Sequence, residues 1–312
     1  QQATASFPKA ERLRLHCLGL FRRCDSEIDG ATKLLFRTEP GMLIEAVVLR
    51  IASGRTTLCV SSQVGCAAAC DFCATGKMGI AQDLSEEQIL DQVLQAGQLL
   101  AKEGRKLRNI VFMGMGEPFH NEANLHRTLE RLTAKEGFHH PPTKILVSTV
   151  GVADAMQRCA ERFRDVNLAL SLHSVRQEVR EKLIPLARKY PLDQLRNTIA
   201  EVNRLQSCTV MIEYLMLEGV NDSVEDAAEL IRWLDGLNVH VNLIPYNPIE
   251  DAPHLVGTQP EQRDRFASQL KQAGLKTTIR YSLGNDIAAA CGQLVKKENR
   301  DLARSLKVLA KG

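Results

Sequence analysis

From about residue 40 the chain alternates short β-rich runs with longer amphipathic helical patterns, and this alternation restricts its fold more than any other feature. Strands are predicted over residues 56–61, 109–113, 144–148, 167–171, 209–215, 239–244 and 277–280. Helical patterns fall between them, over 85–102, 122–135, 152–162, 192–205, 224–234 and 261–272. Strand and helix in turn at this pitch predict parallel βα units. Six or so units without a strong internal linker favour an α/β fold, a partial (βα)6-type barrel, over a split two-domain arrangement. The chain's 312 residues are enough for one such barrel. The expected division is a short extension (1–44), a catalytic barrel (45–295) and a basic C-terminal helical tail (296–312). Within the extension, residues 10–24 read as a helix carrying Arg12, Arg14, Arg22 and Arg23, and residues 33–50 as a small β-hairpin.

Composition removes several classes. Hydrophobic content of 44% and charged content of 25% are ordinary for a soluble globular protein. No apolar run approaches the length of a membrane span, and no signal-peptide pattern opens the sequence. Nine cysteines, an odd number and partly clustered, fit a reducing cytoplasm better than a disulfide framework. A net charge of +3 permits nucleic acid as a partner without demanding it.

The cluster is in "LCVSSQVGCAAACDFCATG", where Cys66, Cys70 and Cys73 are spaced CxxxCxxC and Cys59 stands seven residues ahead. The three follow a predicted strand at its C-terminal end, the face on which βα barrels do chemistry. Structural zinc draws four ligands, usually from two separated pairs, and no second CxxC or HxxxH occurs. A redox CxxC would use only Cys70 and Cys73. A 4Fe–4S cluster held by three cysteines leaves one iron open to a small molecule, and the spacing favours that.

Other polar groups end the predicted strands. Gly116 and Glu117 lie in "GMGEP", Ser148 ends one strand, Ser171 and His173 end the next, and Asn247 follows another. Taken singly, "GMGEP" is equally well a tight strand–helix turn, and Ser148, Ser171, His173 and Asn247 are more often loop residues satisfying backbone groups. Taken together, they line one barrel face beside the cysteine loop. Cys59 and Cys291, read alone, are small buried residues, and Glu45 is a surface residue on an amphipathic strand.

The string around the cysteines resembles the RlmN and Cfr family of radical S-adenosylmethionine RNA methyltransferases. So do "GMGEP", "VSTVG", "LSLHS", "KYPLD", "GVNDS", "NLIPYNP" and "DIAAACGQL", which run in family order from about Glu45 to Leu294. The resemblance implies a 4Fe–4S cluster on Cys66, Cys70 and Cys73. It implies S-adenosylmethionine contacts from Gly116, Glu117, Ser148 and Asn247, with the "SLH" contact made by Ser171, Leu172 or His173. It implies that Cys291 is methylated by one S-adenosylmethionine and that a second supplies a radical that activates this methyl. The activated carbon then adds to adenine of rRNA or tRNA, carbon 2 being favoured over carbon 8. Glu45 matches the proton acceptor, and Cys59 matches the thiol that releases the product as a Cys59–Cys291 disulfide. An electron donor such as flavodoxin or ferredoxin and a monomeric state are implied as well.

Family members carry a helical accessory domain ahead of this region, and the residues before Glu45 are too few for one. Basic residues 12–23, 104–108 and 296–311 are therefore the expected RNA contacts. The rival readings are another radical reaction on a non-RNA substrate, or a metal-stapled RNA-binding protein without catalysis.

Overall fold

The computed structural model describes residues 15–39, 41–79, 81–280, 282–290, 292–293 and 299. The expectations for Arg12, Arg14 and Cys291, and for nearly all of the 296–312 tail, lie outside these residues.

The backbone of the molecule is a ten-stranded sheet whose strands lie in sequence order. It begins with β1 (Gly19–Asp25), β2 (Ala31–Arg37), β3 (Leu43–Arg50) and β4 (Thr56–Cys59), paired antiparallel. A small hairpin, β5 (Gln63–Gly65) and β6 (Ala81–Asp83), interrupts the order and frames the cysteine loop. From β4 onward every neighbour is parallel, through β7 (Asn109–Phe112), β8 (Ile145–Thr149), β9 (Asn167–Ser171), β10 (Val210–Met216), β11 (Val239–Pro245) and β12 (Lys276–Ile279). The crossovers carry α1 (Glu86–Lys102), α2 (Glu122–Thr133), α3 (Ala153–Arg162), α4 (Gln177–Leu183), α5 (Leu192–Leu205), α6 (Val224–Leu234) and α7 (Pro260–Gln272). These are six strand–helix units plus a closing strand, the expected partial barrel. Among the described residues no helix is long and apolar enough to cross a membrane.

Strand burial explains both the alternation in the sequence and the site. Along β8, Ile145, Val147 and Thr149 are buried while Leu146 and Ser148 are half-buried, and β7 alternates in the same way. The buried set faces the helices, where Ile110, Val147, Leu168 and Ile212 pack with Ile89, Leu129, Met156 and Ile199. Each such side chain contributes roughly 1.5–3 kcal/mol. The half-buried set faces the lumen, which is therefore not a filled core.

The two edges of the sheet do not pair. Residues 282–290 cross the gap between them: Gly284 N–H donates to the Asp29 carboxylate (2.7 Å), Ser26 Oγ donates to Asp286 (2.9 Å), and Lys33 Nζ donates to Ala288 O (3.1 Å).

The extension corrects one expectation. Residues 19–25, read as part of a helix, form β1, an edge strand exposed along nearly its whole length. Its apolar residues, Leu20 and Phe21, are 53% and 41% exposed and make no buried helical face. The apolar β2 next to it offers an unpaired backbone row, and pairing with that edge outweighs a helix that would bury nothing. The expected hairpin is present as β2 and β3, with Ala31 opposite Leu49.

Candidate active site

Beyond β4 the chain passes through β5 and enters the cysteine loop at Gly65, whose φ of 77° turns it over the barrel mouth. The loop is tied down at both ends. Cys73 N–H donates to Cys70 O (3.2 Å), Ala74 N–H donates to Gly292 O (2.8 Å) and Asp71 N–H donates to Leu183 O (2.9 Å). Lys77 and His254 both pair with the Asp71 carboxylate, the latter at 2.7 Å. Gly76 is required by close approach, since a Cβ there would sit 2.9 Å from Cys70 N.

Burial pushes the Cys66 thiol up to about 12 and raises Cys70 and Cys73 as well. Cys66 is raised further by Cys73, and Cys70 by both Cys73 and Cys66, so the thiols face one another as like charges. Such a set resists ionisation until a metal takes the place of the protons. A structural zinc site takes four protein ligands, and this loop supplies three thiols. A cluster in which each thiolate binds its own iron makes no such demand.

Beside the loop lies a cavity of about 120 Å³ walled by Phe72, Gly114, Gly116, Glu117, Ser148, Ser171, His173 and Gly292. Glu117 is 2% exposed; its Oε1 accepts from Phe119 N–H (3.1 Å) and its Oε2 from Val150 N–H (2.9 Å). Burial raises this carboxyl to about 7 against those hydrogen bonds. Gly116 has φ 104°, and a Cβ there would lie 2.6 Å from Gln63 Cβ. His173 has φ 59° and packs edge-on against Phe72, with ring centroids 4.8 Å apart. Its Nδ1 accepts from Leu215 N–H (3.0 Å), and burial, followed by Arg180, pushes its pKa down to about 3, so the ring is neutral. Of the "SLH" candidates, Ser171 and His173 reach this cavity, while the Leu172 side chain lies in the apolar core. Asn247 is buried just past β11 and lines neither this cavity nor the next.

The second cavity, about 420 Å³, is the barrel lumen. Cys59, 8% exposed at the end of β4, opens onto it, as do Val47, Val111, Ala289 and Ala290. Glu45 shares the lumen-facing side of β3 with Val47 and Leu49. It is fully buried rather than a surface residue, with its carboxylate 3.7 Å from Lys33 Nζ. Cys291 lies outside the described residues. The residue before it, Ala290, lines the lumen, and the residue after it, Gly292, lines the smaller cavity.

Met113, Glu213 and Arg280 line both cavities and form the wall between them. Glu213 is 2% exposed; its Oε2 accepts from Asn242 Nδ2 (2.8 Å) and its Oε1 has no partner. Burial raises its pKa against the pull of Arg280 and Asn242. Sequence reasoning missed Glu213, Arg280 and the buried Arg180. A lone acid in the apolar run "MIEYLM" was a usable signal for the first. Arg180 sits in "RQEVREKL", which reads as a solvated helix and gave no signal.

A three-thiol loop over the C-terminal ends of a parallel barrel, beside a polar pocket, defines a class, and the sequence profile of the Radical SAM superfamily matches residues 60–233. The chain is 63% identical to a probable RNA methyltransferase of Rhodopirellula baltica, over 95% of this chain and 78% of that one. It is 41% identical to a probable dual-specificity RNA methyltransferase RlmN of Thermus thermophilus, over 88% of this chain and 77% of that one. The crystal structure of a radical SAM methyltransferase from Sphaerobacter thermophilus superposes with a TM-score of 0.89 at 41% identity, covering 94% of this chain and 87% of that one. The chain belongs to the radical SAM superfamily and, within it, to the RlmN family.

Proposed function

We propose that this chain is a radical SAM RNA methyltransferase that methylates an aromatic carbon of adenine, with Cys291 as the methyl carrier and Cys59 as its partner thiol. The observation that carries this reading is the course of the C-terminal segment. Ala290 borders the chamber that holds Cys59, and Gly292 borders the pocket beside the three-cysteine loop. The relatives named as RNA methyltransferases support RNA as the substrate; carbon 2 of adenine in rRNA or tRNA is the reading we favour from the sequence resemblance.

The donor set fits an iron–sulfur cluster: Cys70 buried and Cys66 and Cys73 half-buried, three thiols of one pinned loop that face one another. Cys66, Cys70 and Cys73 would hold it, and when reduced by a flavodoxin-type donor it supplies the one-electron chemistry that an unreactive ring carbon requires. Glu117 offers a fixed carboxylate to the ammonium of S-adenosylmethionine. Ser148, Ser171 and His173, which line the pocket, orient the rest, His173 as a neutral ring, whereas Asn247 matches a family contact but does not line the pocket. Gly116 lets backbone approach the ligand. The Cys291 thiolate accepts the methyl by displacement. After the methyl carbon has joined adenine, Glu45 accepts the ring proton, with Lys33 beside it to steady the charge. Cys59 then attacks the Cys291 sulfur, the sulfur–carbon bond breaks, the departing carbon takes up a proton as the product methyl, and external thiols reduce the resulting disulfide. A reducing cytoplasm suits that last step.

The test is anaerobic reconstitution with iron and sulfide, a reductant, S-adenosylmethionine labelled in its methyl group, and total bacterial RNA. Label in 2-methyladenosine after nuclease digestion is expected. Formation of 5′-deoxyadenosine with no label in any nucleoside would point to a radical enzyme acting on another substrate.

A further inference from the structure

Among the described residues the fold buries one guanidinium that no carboxylate meets. Arg180 on α4 is 0% exposed and heads the fully buried side chains by size. Its Nη1 donates to Ser171 O (2.8 Å) and also to Leu172 O, its Nη2 donates to Val150 O (2.5 Å), and its Nε has no partner. Three carbonyl dipoles soften the charge without cancelling it.

The surroundings of Arg180 point to one neighbour. Leu183, Ile184 and Ala187, at and just beyond the end of α4, share an apolar cluster with Cys70. Asp71 N–H bonds to Leu183 O, tying the cysteine loop to the end of the same helix. Arg180 stays cationic at neutral pH, and Cys70 is the group that works against its loss of charge.

An uncompensated buried ion costs several kcal/mol. Three protonated thiols offset none of that. An iron–sulfur core held by three thiolates is net negative, and more so after it takes an electron.

We propose that Arg180 is the built-in counter-charge of the cluster, favouring its assembly on the three thiolates and raising its reduction potential. This rests on the reading of Cys66, Cys70 and Cys73 as cluster ligands. Arg180 touches no reactant, so it is a positioning residue whose effect is electrostatic. The bland account is that it only clamps the ends of β8 and β9 through their carbonyls. The two accounts differ for a substitution that keeps the charge and loses the planar fork.

The experiment is an EPR-monitored redox titration of the holoprotein without S-adenosylmethionine, for wild type, Arg180→Lys and Arg180→Gln, with iron counted in each. Arg180→Gln is expected to shift the reduction equilibrium toward the oxidised cluster by at least tenfold, about 59 mV for a one-electron couple. Arg180→Lys is expected to stay within about threefold of wild type, because it restores a point charge. An unchanged potential in an iron-replete Arg180→Gln protein overturns the proposal. So does an Arg180→Lys protein shifted as far as Arg180→Gln, which would assign the effect to the lost carbonyl contacts. If Arg180→Gln fails to fold, Arg180→Met, neutral and more compatible with the apolar surroundings, takes its place: a tenfold fall beside a wild-type-like Arg180→Lys supports the charge, and a potential like wild type contradicts it. A wild type that takes up no iron would overturn the cluster reading itself, and with it this proposal. A clustered wild type with an insensitive Arg180→Gln overturns this proposal only.

Discussion

The two cavities share a wall at Met113, Glu213 and Arg280, and they are built on opposite principles. In the smaller one, the key polar groups are already spoken for. Both Glu117 oxygens accept backbone N–H bonds, His173 Nδ1 accepts another, and Gly116 admits no Cβ. In the lumen aliphatic side chains such as Val47, Val111 and Leu146 are interspersed with polar ones that come singly from different strands, Thr57, Asn109, Asn167 and Asn242 among them, and Glu213 presents an unpartnered oxygen at its border. A small pocket whose few polar groups are already held in place suits one fixed small cofactor, because orientation is settled before binding. A wider chamber, with polar groups spread singly over many strands, suits a base delivered by a larger molecule that brings its own positioning contacts.

The largest effect should separate the two chambers. Cys70→Ala should remove most bound iron and lower turnover by at least about 10³-fold. Cys59→Ala should lower turnover comparably while keeping iron content and reductive cleavage of S-adenosylmethionine. Iron analysis beside a 5′-deoxyadenosine assay checks both, and loss of iron in Cys59→Ala would erase the distinction.

Next in size, Gly116→Ala should cost about 1–3 kcal/mol, through a strained positive φ and the 2.6 Å clash with Gln63. It should also weaken S-adenosylmethionine binding at least tenfold. Asn109→Ala, at the far end of the lumen, should stay within about 0.5 kcal/mol of wild type. Thermal melts rank the two, and equal losses would contradict a rigid-versus-open contrast.

How much of this was legible in the sequence follows the same division. The pocket and its loop are built from consecutive residues at strand ends, so "CAAACDFC", "GMGEP" and "LSLHS" could be read as short strings. The barrel was legible because lumen and helix sides alternate along β7 and β8. The lumen was not, because its polar residues come singly from different strands. Glu213 meets Asn242 only through the β10–β11 register, and Lys33 meets Glu45 only because β2 lies against β3. Burial also decides where sequence shows only charge. Glu45 lies inside and not on the solvent face of its strand, and Arg180, which the sequence did not single out, lies inside too. In place of a helix, β1 took the edge of the sheet.

A smaller effect appears in the pH dependence of the apo protein. Burial raises Glu117 from 4.5 to about 7, so the folded state holds that proton more tightly than the unfolded chain does. Its stabilisation is present at low pH and is lost as pH rises through that window. Burial lowers His173 from 6.5 to about 3, so its contribution is lost as pH falls below 6.5. The two oppose each other between about 4.5 and 6.5. Removing one should expose the other: from pH 7.5 to 5, Glu117→Gln should lose about 2 kcal/mol relative to wild type. Urea unfolding at the two pH values measures it, and parallel curves would mean that Glu117 is ionised in the fold.

The most direct test of the central claim is mass spectrometry of anaerobically purified wild type and Cys59→Ala, digested with protease and nuclease. The account predicts a methyl group on the Cys291 peptide of the wild type and an adenine-containing RNA fragment bound to that peptide in Cys59→Ala. An unmodified Cys291 in both proteins, with the cluster intact and S-adenosylmethionine supplied, would contradict it.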